Sequence, residues 1–405
     1  MNPQIRPVTD EAAVVAFWRR GLLSSGTIQS YLQWVRRFRI YCKSRGLIET
    51  EQLTASGVRR FLRTYRGRRL RRPLHIRNVR AKAHHALRAW ACALRALGML
   101  LPPWQEPRSD SLPPLLHEYR SWRRVNQGIA DSTLQRDLPT ARSFLLLLRR
   151  RRKPLEDAVL SDVDDFVRKC ANRVSKSTVA DICSSLRAFL RFLQTTGRLS
   201  TDLARSVIGP RFRLSERPPR TLPWNDVRKI LKSIPRSAPP GKRDFAVLLL
   251  LSTYGLGAAE VLGVRLEDLD WKAGSLRVRR PKTNVLIELP LLPAVADAIT
   301  AYLRYERPPV QTVRFVFLRK NMPYERMTSA AIRHRIRHYA RMAGISAPVI
   351  GAHVFRHSHA SRQIDAGANI QVVSEILGHR STSSTSVYVR VALRRLRSVG
   401  LPVPR

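Results

Sequence analysis

The chain has 405 residues, 44% of them hydrophobic and 7% aromatic, which fits a folded protein of two or three domains and excludes a disordered basic tail. Lys and Arg number 74 against 29 Asp and Glu, a formal charge of +45, so the compact state repels itself and a polyanionic partner is the natural counterweight. No apolar run reaches membrane-spanning length, the first residues hold no apolar leader core, and Cys42, Cys92, Cys170 and Cys183 share no CxxC spacing. The expectation is a cytoplasmic protein with buried, reduced cysteines, no disulfides, no zinc site and no membrane partner.

In chain order, the apolar spacing predicts a helical module over residues 1–105 and a second over 110–208. The two read as copies of one another. Thr27 to Leu32 with Arg36 and Phe38 matches Thr133 to Leu138 with Arg142 and Phe144; Leu87-Arg-Ala-Trp90 with Gly98 matches Leu186-Arg-Ala-Phe189 with Gly197. The first copy has no Asp or Glu between Gln52 and Gln105, a window crowded with arginine. Arg66, Arg68, Arg69, Arg71 and Arg72 are expected in a loop there, with helix resuming near Arg77. With no carboxylate to pair them, they fit a surface that tracks phosphates. Residues 209–223 follow as an extended basic linker, its prolines breaking helices and Arg211 and Arg213 facing a polyanion.

Residues 224–400 read as a mixed α+β domain. The pattern predicts a long apolar helix from Phe245 to Tyr254, then a hairpin of Ser275 to Arg280 and Val285 to Leu289 turning across Pro281 to Asn284. A helix near Val295 to Tyr305, a strand at Phe315 to Leu318 and a basic helix from Ala330 to Ala343 come next, with helices to the end. Gly367 and Gly378 follow helical runs and fit left-handed C-terminal positions.

The chemistry-bearing block is Gly351-Ala-His-Val-Phe-Arg-His357, then Ile376-Leu-Gly-His379, then Tyr388. His353 and Arg356 are three apart and share one helix face. Taken singly, each of these residues is a packing or hydrogen-bonding residue. Together, HxxRH followed by LGH and Tyr at these intervals resembles the second motif of the tyrosine recombinases, the phage integrase family, and the similarity runs over nearly all of residues 220–395. Lys282 stands in the hairpin where that family keeps its catalytic lysine.

The resemblance implies a phosphodiester exchange on double-stranded DNA without a cofactor, because the family's attack is isoenergetic and metal-free. Tyr388 would attack phosphorus and hold the DNA as a 3′-phosphotyrosine. Arg356 would contact the non-bridging oxygens, His379 would add a hydrogen bond to the phosphate, His353 would accept the tyrosine proton, and Lys282 would protonate the leaving 5′-oxygen. It also implies a C-shaped clamp on the duplex and assembly as a homo- or hetero-tetramer with related recombinases. The residues after Tyr388 would then either dock on a neighbouring protomer or lie on DNA.

One departure stands out. The family's first catalytic arginine sits in a helix-start motif similar to GLRxxE, and the matching stretch here, Tyr254-Gly-Leu-Gly-Ala-Ala-Glu260, holds Gly257 in its place. Arg265, Arg279 and Arg280 are the nearest cations along the chain, and the sequence does not choose among them. Three readings remain open at this point: a recombinase with an arginine supplied from elsewhere, a DNA-binding partner of sister recombinases that does not cut, and a nicking-closing enzyme similar to type IB topoisomerases.

Overall fold

The computed structural model describes residues 11–64, 73–104, 112–210, 221–310, 312–346 and 350–378. The expected DNA contacts Arg66, Arg68, Arg69, Arg71, Arg72, Arg211 and Arg213, and the expected catalytic residues His379 and Tyr388, lie outside the described residues. Chain contacts divide the molecule into two compact units, Met1–Pro107 with Pro218–Arg405, and Arg108–Arg217.

The first unit opens with α1 (Glu11–Arg20), α2 (Ser25–Lys43), α3 (Glu49–Gln52), α4 (Ala55–Thr64) and α5 (Pro73–Ala96). Helix α2 begins where the Ser24 side chain accepts from the Thr27 amide, satisfying one of the free N-terminal donors. The apolar stripes close over Trp18, Phe38, Val58, Leu87 and Trp90, all essentially without solvent exposure. This core continues into the C-terminal half of the chain, for Leu318, Met322 and Tyr324 belong to the same apolar cluster. Trp18 Nε1 donates to Met322 Sδ at 3.1 Å, and Arg88 pairs with Glu325 at 2.7 Å. Glycine is required at position 21, where a Cβ would fall on the Tyr324 ring.

The second unit holds α6 (Pro114–Gln127), α7 (Asp131–Arg150), α8 (Leu160–Ala171), α9 (Lys176–Thr195) and α10 (Leu203–Ser206). Its core gathers Tyr119, Phe144, Phe189, Phe192 and Leu193. Gly98 and Gly197, matched in the sequence, both take positive φ just after a helix, and Cys42 and Cys183 are buried.

The C-terminal part of the first unit runs α11 (Trp224–Lys232), α12 (Gly241–Tyr254), α13 (Ala258–Gly263), β1 (Leu269–Asp270), β2 (Ser275–Arg279), β3 (Leu286–Pro290), α14 (Pro293–Tyr305), α15 (Ser329–Met342), α16 (Ala352–Asp365) and α17 (Ile370–Leu377). The strands form an antiparallel sheet in the order β1-β2-β3, with Arg277 opposite Glu288 and Arg279 opposite Leu286. Helix α12 is apolar on nearly every side because α14, α15 and α16 surround it. The Glu306 carboxylate caps its start by accepting from the Lys242 and Arg243 amides at 2.9 and 3.0 Å. Inside, Asp244 accepts from Arg243, Arg335 and the Tyr339 hydroxyl, so a buried carboxylate is fully paired.

One expected element is absent. Phe315 to Leu318 form no strand, only isolated bridges from Phe315 to Arg265 and from Leu318 to Arg326. Their backbone groups are shared among several partners: the Val316 amide donates to Val264, the Leu318 amide to the Tyr302 hydroxyl, and the Phe317 carbonyl accepts from Met327. The run is apolar because consecutive residues are buried on both sides, not because it belongs to a ladder.

Candidate active site

Four local features bring the candidate residues together. Helix α16 starts after Gly351, which puts His353 in its first turn and Arg356 one turn on, along the same face. Helix α13 starts at Gly257, where the Glu260 carboxylate accepts from the Gly257 amide at 2.7 Å. The hairpin closes through Arg280 N–H to Val285 O and Asn284 N–H to Arg280 O, both 2.8 Å, with Asn284 in a left-handed conformation. That turn holds Lys282 at an exposed tip. Helix α17 ends on Gly378, whose φ of +64° lets its amide cap the helix.

Arg356 is the fixed point. Its Nη1 donates to Gly255 O at 3.2 Å and Glu260 Oε2 at 3.3 Å, and its Nη2 to Leu377 O. Both partners of the ion pair keep only 12% side-chain exposure. Three directions of hydrogen bonding leave the guanidinium little rotational freedom, as an anion-binding group needs. Glu260 therefore does two jobs, capping α13 and aligning Arg356.

His353 is a residue open to solvent, yet its imidazole is harder to protonate than usual. The protein packed around the ring lowers its pKa first, the charges of Arg356 and Lys282 lower it further, and Glu260 opposes them. Its place in the first helical turn acts in the same direction. These effects favour the neutral imidazole, the form able to accept a proton. His359, on the far side of α16, is buried and bonded through Nδ1 to Ser252 O at 3.0 Å. It packs against Gly255 and serves the core.

The sequence-predicted residues Lys282, His353 and Arg356 thus share one electrostatic environment, with Gly257 at its edge. A Cβ on Gly257 would meet Glu260 Oε2 at 3.5 Å and Cδ at 3.7 Å, ordinary contacts, and its φ of −78° suits any residue. Nothing in the backbone demands glycine there.

Residues 220–395 match the model of the phage integrase family. Among curated proteins, the chain is 35% identical over 312 residues to a putative integrase/recombinase, y4rF, of Sinorhizobium fredii, covering 75% of this chain and 72% of that one. The chain belongs to the phage integrase family. It is also 31% identical over 226 residues to the tyrosine recombinase XerD of Proteus mirabilis, covering 55% of this chain and 70% of XerD. A third relative, the putative integrase/recombinase y4rA of Sinorhizobium fredii, is 37% identical over 246 residues, and the chain spans 59% of its length. Among solved structures, the integrase fold is shared with XerH recombinase bound to its palindromic difH substrate in a post-cleavage complex, at 14% identity and a TM-score of 0.53 over 86% of this chain and 94% of XerH. A lambda integrase dimer bound to a core site gives 17% identity and a TM-score of 0.51 over 71% and 98%.

Sequence reading missed two features of this candidate site. One is the pairing of Glu260 with Arg356, visible in sequence only as a matching motif position. The other is the contact of Arg280 with the end of α17: strand alternation puts Arg280 on the buried face of Leu276 and Val278 but does not reveal its partner.

Proposed function

We propose that this chain is a site-specific DNA recombinase that cuts and rejoins DNA through a 3′-phosphotyrosine at Tyr388. The observation that carries the reading is the immobilised Arg356 beside His353 and the Lys282 hairpin, in a chain with a +45 surplus. In the step, the Tyr388 oxygen bonds to phosphorus while the bond from phosphorus to the 5′-oxygen breaks. His353 takes the phenolic proton and Lys282 gives one to the 5′-oxygen. Arg356 and His379 hold the non-bridging oxygens of the transition state. No net phosphate energy is lost, so rejoining runs by the reverse of the same step.

The DNA-bound states of the fold neighbours, XerH after cleavage and lambda integrase as a tetramer on a Holliday junction, support duplex DNA as the partner and a multimer as the working form. The arginines of 66–72 and of 211–213 would hold the DNA backbone. The shared blocks of the two helical modules support their origin as one repeated DNA-binding element.

The test is covalent trapping of the full chain on a nicked duplex from the ends of the genomic element that carries the gene, read on a denaturing gel. An adduct with wild type that Tyr388→Phe abolishes supports the reading. Relaxation of any supercoiled plasmid without a defined site would point instead to a nicking-closing enzyme. Gly257 favours a second reading, a partner that binds DNA beside sister recombinases without cutting; it predicts tight binding to the element ends and no adduct.

A further inference from the structure

The site described above lacks the side chain at 257, but it does not lack a second guanidinium. Arg280 stands at the foot of the Lys282 hairpin and is 6% exposed. Its Nη2 donates to Ile376 O at 2.6 Å and lies 3.5 Å from Glu375 O, while Arg356 Nη2 donates to the next carbonyl, Leu377 O. Two arginines from distant parts of the chain thus clasp consecutive carbonyls at the end of α17, where the helix dipole is negative and tolerates their closeness. Arg280 also lies against the Cα of Gly378, the residue before His379, so closely that a Cβ there would overlap its guanidinium.

Three details put this cation in the electrostatic environment of Arg356 and Glu260. Its charge is felt by both Arg356 and Glu260, the carboxylate that caps the Gly257 amide. Burial makes it easier to deprotonate than an ordinary arginine, with attraction to Glu260 opposing and repulsion from Arg356 adding to that effect, an unfavourable placement that a bound phosphodiester anion would relieve. Among the described residues its hydrogen bonds run through Nη2, which leaves Nε and Nη1 for another acceptor.

We propose that Arg280 is the second phosphate-binding cation of the site, reaching from the hairpin to where an arginine at 257 would otherwise act. The proposal rests on the recombinase reading and names the residue that makes it workable despite Gly257. It predicts a functional exchange: the charge can come from position 280 or from position 257.

The experiment uses the trapping assay with five full-length proteins: wild type, Arg280→Ala, Arg280→Lys, Gly257→Arg and the double variant Gly257→Arg/Arg280→Ala. Each is run on a nicked duplex with an ordinary scissile phosphate and on one with a methylphosphonate there, which removes one negative oxygen. Expected are a loss of about 100-fold or more in adduct rate for Arg280→Ala, a smaller loss for Arg280→Lys, which keeps charge and stem but not the fork, and recovery of at least tenfold when Gly257→Arg is added. The methylphosphonate should shrink the gap between Arg280→Ala and wild type. Thermal melting of each variant checks folding, and Arg280→Lys carries the comparison if Arg280→Ala does not fold.

Wild-type cutting that is indifferent to Arg280→Ala and Arg280→Lys overturns the proposal. So does a loss that neither Gly257→Arg nor the neutral phosphate relieves, because Arg280 is then only a clamp on α17. An adduct from Gly257→Arg but none from wild type also overturns it, while leaving the site otherwise sound and this chain a non-cutting partner. No adduct from any protein removes the recombinase reading and this proposal together.

Discussion

The two helical modules use arginine in opposite ways. In the second, charge is turned inward. Asp137 is nearly buried and accepts from Arg123 at 2.6 Å and from Ser185 at 2.7 Å, tying α6, α7 and α9 together. Asp162 accepts from Arg151 at 2.6 Å and Lys153 at 2.7 Å at the start of α8. In the first module, among the described residues, the module's own carboxylates pair arginines near its N-terminal side, Glu11 and Glu49 with Arg36 and Arg39, and Arg88 takes its partner, Glu325, from the C-terminal part of the chain. Beyond Gln52 that supply ends. Arg63 and Arg80 are exposed, have no carboxylate partner among the described residues, and line one shallow depression with Leu62 and His84. Similar helical scaffolds thus spend basic residues either on fixing helices or on presenting charge, and local acid content decides which.

The sharpest break of this contrast is Asp137→Ala. It strands the Arg123 guanidinium in a site where only 10% of the side chain is exposed, a defect worth about 3–5 kcal/mol. Hydrogen exchange on the full chain should show α7 and α9 losing protection while α2 and α5 keep theirs. Asp137→Leu combined with Arg123→Met should recover most of the loss, because removing both partners leaves no unpaired charge. Equal loss in the single and double variants would mean that packing, not charge, governs this site.

Next in size is the opposite experiment on the first module. Arg63→Gln with Arg80→Gln should leave stability within about 0.5 kcal/mol of wild type, as surface changes do. Binding to an arbitrary duplex should weaken, and the slope of log affinity against log salt should fall by about 0.9 for each arginine that meets a phosphate. An unchanged slope would show that this face never touches DNA. In the catalytic part, the lowered pKa of His353 predicts that adduct formation survives acidification past the ordinary histidine range, near 6.5, before the base is protonated and the rate falls. A pH–rate profile checks this, and an acid limb centred above 6.5 would remove His353 as the proton acceptor.

How legible this was in the sequence depended on how local the determinant was. The hairpin, α12, α14, α15 and the left-handed Gly367 and Gly378 follow from turn chemistry and apolar spacing, and were readable within a residue or a few. The pair His353 and Arg356 was readable because one helix sets their spacing. Phe315 to Leu318 was not, because its burial comes from α14 and from the first helical module, more than two hundred residues earlier. Arg280 was not either. Strand alternation puts it on the buried face of Leu276 and Val278, but nothing local tells what a charged group there would meet, and its partner is the end of α17, 95 residues on.

The smallest expected effect belongs to Asp162, and it sharpens the contrast through pH. Burial pushes its carboxyl up, but hydrogen bonds from Lys153, the Val159 amide and Arg151 outweigh that and hold it below the ordinary aspartate value. A depressed folded pKa contributes stability that is complete above the unfolded value, about 3.9, and is lost as pH falls through the folded value. The second unit should therefore loosen below about pH 4, and Asp162→Asn should flatten that acid dependence. The cost at neutral pH should be modest compared with Asp137→Ala, because Arg151 stays a third exposed and keeps Asp165 as a partner, and Lys153, 27% exposed, can turn to water. Acid titration followed by hydrogen exchange at α8 decides it: a profile that Asp162→Asn leaves unchanged would place the acid sensitivity elsewhere in the unit and leave Asp162 a cap for α8 and nothing more.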